Sequence, residues 1–136
     1  MLKRTFVKVI NTLLDCKEKS KDHYQSRLDL QDMGIMLKLH LYEEDNITRL
    51  PPTTYTMSKF DKKMFCNRLF NLKLPYGYSF KISNCVDVEK YKLTGLKSHA
   101  CHVLMQQLLP IAIRGLMEEG PRVAILRLSK FFYGLC

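Results

Sequence analysis

A chain of 136 residues with 46% hydrophobic content can bury a modest single core and is too apolar for an intrinsically disordered protein. Its 22 Lys and Arg against 13 Asp and Glu leave a net charge of +9, which favours an acidic partner, nucleic acid before a membrane surface, or marks a domain that is simply basic. Five cysteines without a CxxC or repeated spacing argue for reduced thiols in an intracellular compartment, and no apolar run reaches a bilayer-spanning length, Gln106, Gln107 and Arg114 interrupting the best one.

Phe6, Val9, Ile10, Leu13 and Leu14 stand at helical spacing and predict a helix over 2–14, with Lys3, Arg4 and Lys8 on its other side. Those three bases, with no acid before Asp15, faintly resemble a transit peptide, but the serine richness and cleavage site of one are missing. Residues 16–21 form a charged linker that reads as solvated. A second helix is expected over 22–35, with Tyr24, Leu28 and Ile35 on one face and Gly34 as C-cap. Residues 42–57 read as an exposed linker with polyproline character at Pro51-Pro52. Ser58 with Asp61 is a capping-box-like start to a helix whose stripe is Phe65, Leu69 and Leu72, with Lys59, Lys63 and Asn67 opposite.

Pro75 with Gly77 ends that helix. Residues 78–82 alternate weakly, but a lone strand has no partner; residues 87–93 read as a helical turn. Ser98 is the expected N-cap of a helix running to Leu109, and Pro110, lacking an N–H, is expected to start another. Gly120-Pro121 then stops and restarts the chain. A last helix from Arg122 carries Ala124, Leu128, Phe131, Phe132 and Leu135 as its stripe. The pattern predicts an all-α fold, an irregular bundle of about five to six short helices with Pro/Gly joints and no substantial sheet. Residues 1–136 form a single helical domain: N-terminal helices (1–41), an exposed linker (42–57) and a C-terminal helical part (58–136).

His99, Cys101 and His102 look like metal ligands, but zinc wants four converging groups. On a helix Cys101 would point away from the two histidines, and fourth ligands at Cys85, Cys66 or His40 have no recognisable spacing. A half-buried helix start is the plainer reading, and no cofactor is expected. A nucleophilic Cys101 would need an oriented base that its sequence neighbour His102 does not supply. GLMEEGP carries acids where a phosphate loop would need none. The densest basic region is Lys59, Lys62, Lys63, Arg68, Lys73 and Lys81, with Tyr55, Phe60, Tyr76 and Tyr78 among them. Such groups suit phosphate contact and base stacking, or a solvated helix face over core aromatics. The last helix is apolar on most sides. Leu128, Phe131, Phe132 and Leu135 are therefore a candidate interaction surface for self-association or a protein partner.

Three stretches carry a resemblance. GLKSHACHVLMQQLLPIAIRGL is similar to GLKSHDCHVLMQQLLPVAIRG in the transposases of plant CACTA (En/Spm-type) DNA transposons. NTLLDCKEKSKDHYQSRLDLQDMGI resembles their GTLLNIPGKTKDGLNARLDLVEMGI, and PPTTYTMSKFDKKMFCNRL resembles their PPACYTLSKEEKKSFCECL, in the same order along nearly the whole chain. One departure is Ala100, where the family has Asp.

The resemblance implies a nuclear protein related to enzymes whose RNase H-like fold uses acidic residues to hold divalent metal for strand cleavage and joining. One family acid lies in a DVMHVEKN motif just upstream of the matched region, and an acidic segment follows it downstream. Asp29, Asp32, Glu43 and Glu44 match no catalytic motif. The expectation is a non-catalytic helical segment of a transposase, domesticated or relic, that would support DNA transposition. The alternatives are a basic helical module binding DNA without sequence preference, or an interaction fragment docking on a full-length transposase.

Overall fold

The computed structural model describes every residue except Met1, Lys17, Glu18, Pro52, Thr54, residues 75–80, Cys136 and the side chain of Leu135. Helix α1 (Leu2–Leu13) buries Leu2, Phe6, Ile10 and Leu13 at spacings of four, four and three, and leaves Lys3, Arg4 and Lys8 exposed. Helix α3 (Lys59–Asn71) starts at Ser58, whose Oγ accepts the Asp61 N–H at 3.1 Å, and buries Phe65, Cys66 and Leu69. Asp61 reaches across to Met117 rather than back to its own cap, accepting that N–H at 3.2 Å.

Helix α4 (Ser98–Val103), a π turn over Leu104–Leu108 and helix α5 (Leu109–Ala112) run on without a break. Pro110 therefore does not divide two helices. The Leu109 N–H bonds Leu104 O, the i to i−5 pattern of a π turn. The wider turn absorbs the proline that an α turn would reject. The N-cap is Lys97, and Ser98 is already helical. Helix α6 (Glu119–Leu135) begins before Pro121, since the first turn needs no N–H there. Ile125, Ser129 and Phe132 are buried, while Ala124 and Phe131 are exposed. The stripe predicted on this helix is thus rotated from the one that packs. α1 packs on α4, and α6 packs on the π turn and on α5.

Two antiparallel ribbons qualify the all-α expectation. β1 (Tyr42–Glu44) pairs with β2 (Ile47–Arg49), Tyr42 opposite Arg49. Asp45 and Asn46 both take positive φ, 53° and 62°, the geometry of a two-residue hairpin turn. Part of the expected linker over 42–57 is therefore a hairpin; Pro52 lies outside the described residues. β3 (Val86–Asp87) pairs with β4 (Lys92–Leu93), so residues 87–93 are not a helical turn. The expected helix-ending Pro75-Gly77 and most of 78–82 also lie outside the described residues, while Ile82–Cys85 is a 3-10 turn. The fold is mostly helical with these two small ribbons.

Helix α2 (Tyr24–Met33), the 3-10 turn Leu37–Leu39 and the β1–β2 hairpin form an arm with little core of its own. Gly34 closes α2 at φ 67°, as expected of a C-cap. At its start His23 Nδ1 accepts the Ser26 N–H and Ser26 Oγ accepts the His23 N–H. Tyr24 and Ile35 are exposed; the buried residue of α2 is Arg27. Arg27 Nε and Nη2 donate to the two oxygens of Asp22 at 2.6 and 2.9 Å, Nη1 to Leu39 O, and Nη2 also to Pro51 O. One guanidinium thus fastens the helix, the turn and the chain after the hairpin.

Candidate nucleic-acid interface

Three clefts on the body adjoin one another through shared lining residues. The first, about 400 Å³, lies between the end of α1, the β3–β4 ribbon and α3, and Lys19, Lys62, Lys90 and Lys92 line it. The second, about 350 Å³, shares Asn11, Lys19 and Leu93 with the first and adds Lys3. The third, about 400 Å³, shares Gly95 with the second and adds Lys81, Lys97 and His99. Among the described residues Asp15 is the carboxylate in these linings. Cys16 sits in the first cleft. Burial pushes its thiol up, while Lys19, Lys62 and Lys92 pull it back. These three lysines line the same cleft as Cys16. Asp87, at the base of the ribbon, is turned to the backbone. Its Oδ1 accepts the Lys90 and Glu89 N–H groups, which hold its carboxyl below the usual range.

The six bases expected to contact nucleic acid divide among different roles. Lys62 and Lys81 line the clefts. Lys59, Lys63 and Lys73 are exposed on and beyond α3, outside these linings. Arg68 is occupied by the fold: its Nη1 donates to Ala112 O at 3.1 Å and Arg114 O at 2.6 Å, tying α3 to the end of α5. Among the interleaved aromatics Phe60 is exposed and Tyr55 is half-buried beside Asp22. Tyr76 and Tyr78 lie outside the described residues.

Sequence reasoning did not single out Lys19, Lys90, Lys92 or Lys97 as contacts. They come from a loop, a ribbon and a helix cap, so no local spacing joins them. The composition alone carried the signal, as net charge.

On the candidate protein surface, Phe132 faces the core, Leu128 is half-buried and Phe131 is exposed; the Leu135 side chain lies outside the described residues. Phe131 packs edge-on against Phe132, ring centroids 5.4 Å apart. Of the three residues weighed as metal ligands, Cys101 is fully buried, His102 is half-buried and His99 is exposed at the third cleft. Among the described residues no three His, Cys, Asp or Glu side chains gather to hold a metal ion. Burial raises the thiols of Cys101 and of Cys66, the latter to about 11, so both are poor nucleophiles. Among the described residues no helix is long and apolar enough to cross a membrane. No protein-family model matches the chain, and no curated protein or solved structure matches it.

Proposed function

We propose that this chain is a non-catalytic, nucleic-acid-binding segment of the CACTA-transposase kind, acting in the nucleus by holding the phosphate backbone of DNA along its lysine-lined clefts. The observation that carries the binding is the row of three adjoining clefts, lined by Lys3, Lys19, Lys62, Lys81, Lys90, Lys92 and Lys97. Lysine is a point charge on a flexible stem. It contacts phosphates without fixing a base identity, so the binding is sequence-nonspecific. The sequence resemblance supports the transposase origin and, because the family's acidic motifs lie outside the stretches it matches, a non-catalytic role.

Titrating a short duplex at several salt concentrations tests this. The steepness of the log–log plot is expected to drop by about 0.9 for each phosphate that is no longer neutralised. Replacing the exposed Lys3, Lys19, Lys90 and Lys97 by Ser is expected to flatten the slope strongly. Replacing Lys59, Lys63 and Lys73, the exposed bases outside the clefts, should change it little. A shallow slope in the unaltered protein, or equal effects of the two sets, overturns the reading.

A further inference from the structure

The arm and the body carry opposite charge. Residues 22–49 hold six acids against three bases, net −3 in a chain of net +9, which leaves net +12 on the remainder. The arm also exposes large apolar side chains, with Met33, Met36, Leu37 and Ile47 all more than half accessible. Four such residues on so small an element are more than scattered surface apolars explain. The lysine groove has the matching character. Below its lysine rim, Val7, Ile10, Leu93 and Leu96 line the middle cleft. A phosphate backbone has no use for that apolar floor, whereas an acidic surface with apolar side chains fits both parts.

We propose that the arm is a docking element for a second copy of this chain and seats in that copy's lysine groove. The Arg27 clamp ties the arm's own segments together, and no residue of 22–49 lines the groove of its own body; the groove it enters is that of another copy. Nucleic acid and arm then compete for the same lysines, and DNA disperses the assembly. The proposal rests on the groove described above. Its failure is separable from failure of the nucleic-acid reading, because DNA binding is measured independently.

Sedimentation of the full chain at low and high salt tests it. The expected result is a mass that rises with concentration at low salt, falls at high salt, and falls again when a short duplex is added. Glu43→Lys with Glu44→Lys is expected to weaken association by about tenfold or more while leaving duplex binding intact. Lys19→Glu with Lys90→Glu, both on exposed side chains, is expected to weaken association and duplex binding together. Mixing the two variants should restore association, since each supplies what the other lacks. A monomer at all micromolar concentrations, association strengthened by salt, or a mixture that stays dissociated overturns the proposal.

Discussion

The carbonyl of Met105 shows how one residue's chemistry sets another's identity. In the π turn the Leu109 N–H goes to Leu104 O, and Pro110, next in line, has no N–H to give. Met105 O is thereby left without a backbone donor in this turn. Ser129 Oγ, from α6, donates to it, and Ser129 is 1% exposed. A buried hydroxyl on an apolar helix face is explained by that orphaned carbonyl. Ser129→Ala is expected to cost about 1–3 kcal/mol in urea unfolding, the desolvation penalty of an unpaired buried carbonyl. In a Pro110→Ala background an N–H returns to the turn, and the same change is expected to cost less. A double-mutant cycle with no coupling refutes the account.

Asp22 is a second case. The hydrogen bond from Arg27 holds its carboxyl below the ordinary value of 3.8. A folded-state pKa below the unfolded one stabilises the arm above the unfolded value, and the contribution disappears as pH falls through the folded one. Protection of the α2 and hairpin amides from hydrogen exchange is therefore expected to hold above about pH 4 and drop in more acidic buffer. Asp22→Asn should remove that pH dependence.

At the scale of elements, what could be read in advance depended on whether one element's own pattern decided its fate. Helix α1 was legible because the core takes its whole apolar face: Phe6, Ile10 and Leu13 recur at helical spacing and are buried. Helix α3 was legible from Ser58 onward for the same reason. Helix α6 was legible as a helix but not in phase, because the residue at the centre of its buried face, Ser129, is polar and answers a carbonyl on another element. The β1–β2 hairpin carried its signal in Asp45-Asn46, two residues that tolerate left-handed backbone, yet strands of three residues have too little alternation to stand out. Of the basic groove only Lys62 and Lys81 were legible, because its other lysines join them only in the folded chain.

The arm also holds a removable strain. Met36 sits at φ 52° with its side chain largely exposed. Left-handed backbone costs a non-glycine residue about 1–2 kcal/mol. Glycine returns roughly 0.5–1 kcal/mol of that as lost chain entropy. Met36→Gly is expected to gain a net stabilisation of about 0.5–1 kcal/mol, read as slower exchange of the α2 and hairpin amides. Faster exchange would show that the Met36 side chain is needed within the arm.

The whole molecule is a basic helical body with an acidic arm whose segments one arginine clasps together, and its core joins distant parts of the chain. The buried face of α1, which ends at Leu13, packs on α4, which begins at Ser98. Leu14, Met57 and Ile82 join the same core from the intervening chain. A nascent polypeptide makes these parts in order. Ser98 follows Leu13 by 85 residues, a stretch that takes about 4–17 s to synthesise at roughly 5–20 residues per second. For that interval Leu2, Phe6, Ile10 and Leu13 have no α4 to cover them. Helix α1 is made well before the helix that buries it, and a chaperone that holds apolar helices is expected to meet α1 while the chain is still being synthesised.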